Sequence, residues 1–93
     1  MANEIFKIKE NGERELCASY DQSFSAIYTM QLWWCYMHKC SFYDKRNLNK
    51  AKDAIKVSVS GHTAFFEKDG IVYACTTTDR LASEGIGESA LEF

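Results

Sequence analysis

The 93-residue chain contains no proline, only two histidines and no paired CxxC motif. No functional meaning attaches to the missing proline, but the other shortages narrow the chemistry. With His38 and His62 as the only imidazoles, a serine or cysteine nucleophile has little choice of base. No GxSxG, P-loop, GxGxxG or HExxH pattern occurs, and the GIGES stretch from Gly85 lacks the preceding strand and third glycine of a phosphate loop. No apolar run reaches the roughly 18 residues of a membrane helix. The opening MANEIFKIKENGERE lacks the basic-then-apolar order of a secretory leader. The expectation is a soluble, cytoplasmic, non-enzymatic protein with no cofactor, no metal and no membrane partner.

What is present is apolar. Hydrophobic residues make up 46% of the chain and aromatics 14%, ample for a folded core. A chain this short fills one core between two layers, so residues 1–93 are read as a single domain. Cys17, Cys35, Cys40 and Cys75 are expected to be reduced core residues. The net charge of -2 conceals an asymmetry, with six basic and two acidic residues in 39–56 but two basic and six acidic in 67–93. An acidic tail is therefore expected over 79–93, helical for a turn or two at 79–84 and partly mobile beyond Gly85 and Gly87.

The stretch EIFKIKENGERELCASY predicts a β-hairpin. A three-residue loop, Glu10-Asn11-Gly12, with Gly12 left-handed, pairs Phe6 with Leu16 and Lys7 with Glu15. Phe6, Ile8, Leu16 and Ala18 then form the inward side. A second three-residue loop at Lys68-Asp69-Gly70 pairs Phe66 with Val72 and Phe65 with Tyr73. A two-residue turn at Gly61-His62 pairs Val59 with Ala64 and Val57 with Phe66. Residues 56–77 thus read as a three-stranded antiparallel meander. Val57, Val59, Ala64, Phe66, Val72 and Ala74 share one face, and Ser58, Ser60, Thr63, Phe65, Tyr73 and Cys75 the other.

Between these units Asp21 or Ser23 can cap a helix over about 22–41. At helical spacing, Ala26, Ile27, Met30, Trp33, Trp34, Met37 and Cys40 fall in one arc without a polar side chain, the natural core face. The opposite side carries Ser25, Thr29, Gln31, His38 and Lys39, but also a second apolar stripe of Phe24, Tyr28, Leu32, Cys35 and Tyr36. A helix on one sheet buries one stripe, so the second needs another cover. A short helix over 47–55, capped by Asn47 and carrying Leu48, Ala51 and Ile55, could supply part of it, as could Leu81, Ile86, Leu91 and Phe93 of the tail. The fold class is α+β, a two-layer sandwich of N-terminal hairpin, long central helix, short helix and C-terminal meander.

The surplus apolar surface points to a protein interface formed by Phe24, Tyr28, Leu32, Cys35 and Tyr36 on the helix and by Phe65 and Tyr73 on the sheet. The expected function is a non-catalytic protein-binding module, either a homodimer or a stoichiometric inhibitor or adaptor docking on a larger protein. Phage and mobile-element inhibitors of host enzymes or defence complexes, anti-CRISPR proteins among them, are common at this size. The alternative is single-stranded nucleic-acid binding, with Lys39, Lys45, Arg46, Lys50, Lys52 and Lys56 on phosphates and Phe65 and Tyr73 stacking on bases; an acidic pI of about 5.6 opposes it. A second alternative is a small enzyme or zinc protein using Cys35 and His38. On a continuous helix, however, Cys40 would lie about 140° round from Cys35, which separates the ligands.

Overall fold

The computed structural model of the chain describes residues 3–21 and 23–77, so the expected acidic tail, 79–93, lies outside the described residues. Along the chain run β1 (Asn3–Ile8), β2 (Arg14–Tyr20), α1 (Ala26–Met37), α2 (Lys45–Ala54), β3 (Lys56–Val57), β4 (Thr63–Lys68) and β5 (Ile71–Thr76). The strands form a five-stranded antiparallel sheet in the order β2-β1-β5-β4-β3. Helix α1 lies on one face of this sheet and α2 packs against α1, the α+β arrangement that the alternation of elements implies.

The first hairpin closes through the three-residue loop. Lys9 N–H donates to the Glu13 carbonyl at 2.8 Å, Gly12 N–H donates to Lys9 at 2.9 Å, and Gly12 takes a φ of 87°. Phe6 stands opposite Leu16 and Lys7 opposite Glu15. Beyond that point Ile5 pairs with Ala18, leaving Cys17 as the extra residue of a β-bulge. The bulge breaks the alternation of β2. Ile5 and Ala18 pack toward the helix, while Leu16 is left 53% exposed. The inward set expected from strict alternation, Phe6, Ile8, Leu16 and Ala18, is therefore corrected: Phe6 and Ile8 pair with Ala74 and Val72 on the sheet's other face.

The meander forms, with both of its registers shifted. Lys68 stands opposite Ile71, so the connection is a two-residue turn in which Asp69 (φ 54°) and Gly70 (φ 80°) are both left-handed, the type I′ geometry that matches strand twist. Phe66 thus faces Tyr73, and Phe65 faces Ala74. The one-residue shift exchanges faces on β5: Tyr73 and Cys75, expected outside, enter the core with Ala64 and Phe66. At the other connection Val57, not Val59, pairs with Ala64. A longer loop, with Ser58 N–H donating to Thr63 at 2.8 Å and Gly61 N–H to Ser58 at 2.9 Å, leaves Val59 67% exposed at its tip.

Helix α1 is shorter than the apolar run at both ends. Its cap is Ser25, whose Oγ accepts the Tyr28 N–H at 3.0 Å. Asp21, one of the expected caps, instead accepts the Ser23 N–H at 2.8 Å in a turn upstream. At the other end Lys39 adopts a φ of 54°, Cys40 N–H donates to Cys35 at 3.0 Å and Lys39 N–H to Tyr36 at 3.2 Å. These two bonds are the Schellman motif, with lysine at the position glycine usually holds. Helix α2 starts at Asp44, whose carboxylate accepts the Arg46 N–H at 2.9 Å; the expected cap Asn47 lies inside it and donates to the Ser41 carbonyl at 2.8 Å.

Ile5, Met30, Ile55 and Phe66 are almost wholly buried, and Trp33 joins them at 8% exposure. Each such side chain contributes about 1.5–3 kcal/mol by removal from water. The Trp33 ring stacks on Tyr36 at 5.2 Å and meets Tyr73 edge-on at 5.8 Å. Its Nε1 is buried with no hydrogen-bond partner among the described residues, so packing holds this indole in place. Ile27, Trp34 and Met37 flank the core as their spacing predicts, whereas Cys40 lies past the helix end. Thr29, assigned by spacing to the outer side, is fully buried.

Candidate functional site

The second stripe of α1 forms one wall of an open groove of about 690 Å³. Phe24, Tyr28, Leu32, Cys35 and Tyr36 all line it, and they share it with Tyr20 from the end of β2 and with Lys39 to Tyr43 from the connection between the helices. The early stop of α1 makes this concavity: the left-handed turn at Lys39 swings Cys40, Ser41, Phe42 and Tyr43 back alongside the helix instead of prolonging it.

Exposure divides the lining. Cys35 is fully buried and Leu32 is 9% exposed, so both belong to the floor. Phe24, Phe42, Tyr36 and Tyr43 are 37%, 41%, 68% and 86% exposed and form the rims. Tyr28 is half-buried, with Phe24 edge-on to it at 5.1 Å, and Phe42 and Tyr43 lie tilted together at 4.3 Å. Helix α2 covers part of the outer side, where Gln31 Nε2 donates to the Leu48 carbonyl at 3.0 Å. The short helix thus supplies part of the cover that the sequence calls for, while the other candidates, Leu81, Ile86, Leu91 and Phe93, lie outside the described residues.

Lys39 is the only charged residue among the described residues lining the groove. Four tyrosines contribute hydroxyls, and burial, together with the neighbouring Tyr36 phenol, pushes Tyr20 up. Burial, reinforced by the adjacent Cys40, pushes the Cys35 thiol up to about 11, so it is protonated at neutral pH, the opposite of an activated nucleophile.

The remaining residues singled out by the sequence are dispersed. Phe65 and Tyr73 do not form the expected outward pair. Phe65 is 8% exposed on the face away from α1, whereas Tyr73 is 6% exposed inside the core against Trp33 and Phe66, because the two-residue turn shifts β5 by one position. Lys45, Arg46, Lys50 and Lys52 lie on α2 and Lys56 opens β3, but Arg46 is engaged by Asp44 at 3.0 Å. His38 stacks on Trp34 at 3.9 Å and feels Lys68 and Asp69 rather than joining Cys35 at the groove. Among the described residues, no three His, Cys, Asp or Glu side chains converge as a metal site, and no helix is long and apolar enough to cross a membrane.

No protein-family model, curated protein or solved structure matches the chain.

Proposed function

We propose that this chain is a non-catalytic protein-binding domain, a stoichiometric inhibitor or adaptor that docks on a larger protein through the groove on the back of α1. The observation that carries this reading is the aromatic rim of Phe24, Tyr36, Phe42 and Tyr43, exposed around an apolar floor. Aromatic anchors beside a preformed concavity are the usual makings of an interface hot spot. Helix α1 spans about 18 Å at 1.5 Å per residue, enough to hold a three-turn amphipathic helix or a short extended segment. Lys39, the charged residue of the lining, favours a partner segment whose apolar side chains are flanked by acidic ones.

A second copy of the chain is the competing occupant. Symmetric pairing about this groove would bring two Lys39 side chains into one interface, and that charge opposes it. Four free cysteines fit a reducing, cytoplasmic setting.

The test is capture of the partner from the native host by the wild-type chain and by Tyr36→Glu and Tyr43→Glu variants, each checked for folding by circular dichroism. The expected result is loss of the same partner by both variants with the fold intact. Undiminished capture would overturn the assignment of the groove, and a stable dimer dispersed by the variants would transfer it to self-association.

A further inference from the structure

Cys35 and Cys40 are brought together by the way α1 ends. The bond from Cys40 N–H to the Cys35 carbonyl, 3.0 Å long, places them at the two positions of a Schellman cap whose side chains ordinarily touch across the helix terminus. The Cys40 thiol also reaches the Cys35 carbonyl oxygen at 3.7 Å. Both side chains border the groove, Cys35 fully buried and Cys40 half-buried. The other two cysteines sit on strands, Cys17 in β2 and Cys75 in β5.

We propose that Cys35 and Cys40 form a thiol–disulfide site, in which Cys40 takes the attack of a small disulfide such as oxidised glutathione and Cys35 resolves it. The Cys40 thiolate attacks one sulfur of the reagent, a mixed disulfide forms, and one glutathione thiolate leaves. Cys35 then gives up its proton to solvent and its thiolate attacks the Cys40 sulfur. The second glutathione leaves as a thiolate, both glutathione thiolates take up the protons that the two cysteines gave to solvent, and the Cys35–Cys40 disulfide remains. Two protein thiols have lost two electrons and two protons, and the reagent has gained them.

Burial assigns the order of the steps. Cys35 is shielded from an external reagent and held protonated by burial, by the side-chain contact with Cys40 and by its charge. Once Cys40 carries a neutral mixed disulfide, the repulsion from its thiolate is gone; burial still opposes loss of the Cys35 proton, and the intramolecular placement of the two side chains offsets that cost. A pair so placed can cycle in a reducing compartment, where lasting structural disulfides are rare. Both thiols line the groove, so a partner docked there would cover Cys40, and the pair reacts in the free protein.

The full-length folded protein is titrated with oxidised glutathione and mapped by mass spectrometry. Trypsin cuts after Arg14 and Lys39, so Cys40 ends in a separate peptide from Cys17 and Cys35, and fragmentation of the linked pair between Cys17 and Cys35 tells which of the two carries the disulfide. The expected first product lacks two hydrogens and carries the Cys35–Cys40 link. Cys40→Ser should abolish it, and Cys35→Ser should stop at a mixed disulfide on Cys40. Phenylarsine oxide, which needs two thiols within reach, should bind wild type one to one and neither variant. A first disulfide involving Cys17 or Cys75, a wild-type product that stops at mixed disulfides, or a Cys35–Cys40 link that forms only in denaturant would overturn the proposal.

Discussion

The Asn3 side-chain amide donates to Thr29 Oγ1 at 3.0 Å and to the Phe24 carbonyl at 2.7 Å, tying the start of β1 to α1 and to the segment that leads into it. Thr29 is fully buried, so its hydroxyl depends on this amide. Asn3→Ala should cost about 1–3 kcal/mol, the range for leaving a buried polar group without its donor. Asn3→Asp should cost more at neutral pH, because it turns a carboxylate toward the carbonyl oxygens of Phe24 and Asp21, neither of which can donate. Urea denaturation of the two variants tests the order.

The groove residues should separate by depth. Leu32→Ala removes a floor side chain and is expected to lower stability by about 2–4 kcal/mol. Tyr36→Ser removes a ring that is 68% exposed and retains little beyond its stacking on Trp33, a loss of about 1 kcal/mol. Thermal melts should show the first variant strongly destabilised and the second close to wild type. Comparable losses would mean that the rim is covered in solution.

Lys39 holds a left-handed backbone at the helix end, a conformation that costs an L-residue about 1–2 kcal/mol. Lys39→Gly should therefore raise the midpoint of chemical denaturation by an amount equivalent to about 1 kcal/mol. The same substitution removes the charged residue of the groove, so a more stable protein that binds its partner less well is the expected combination.

His38 provides a pH handle. Burial lowers its pKa, the Lys68 ammonium lowers it further, and Asp69 acts in the opposite sense. The folded state therefore binds this proton less readily than the unfolded chain. The contribution of the neutral ring is present above an unfolded-state pKa of about 6.5 and is lost as pH falls through the lower folded value. NMR titration should place His38 below 6.5; Lys68→Met should move it up and Asp69→Asn further down. The decline in melting temperature below pH 6.5 should be smaller in His38→Gln.

Which of these features the sequence disclosed depends on where a local signal had one meaning. The register of the first hairpin was readable because a two-residue turn would have mismatched both faces. Asp69-Gly70 suits either a two- or a three-residue connection; the pair is favoured in the two-residue type I′ turn because both residues tolerate a left-handed backbone, but its likeness to Asn11-Gly12 of the first hairpin points to the longer loop. The apolar back of α1 was equally readable, but its division into floor and rim was not. That division depends on the chain reversing at Lys39, where a lysine carries no stop signal. The same reversal explains Cys40: helical geometry sets it far from Cys35, and the cap returns it to the same groove.

The bulge at Cys17 has a bearing on how copies of this protein meet. In the described sheet β2 and β3 are the outer strands; one is kinked by the extra residue and carries Arg14 and Glu15 at its exposed start, and the other is two residues long. Neither offers a long, flat row of backbone donors and acceptors to a neighbouring chain. Recruitment of a further strand is disfavoured at both of these margins, so the described sheet is closed to growth by strand addition from a neighbouring chain.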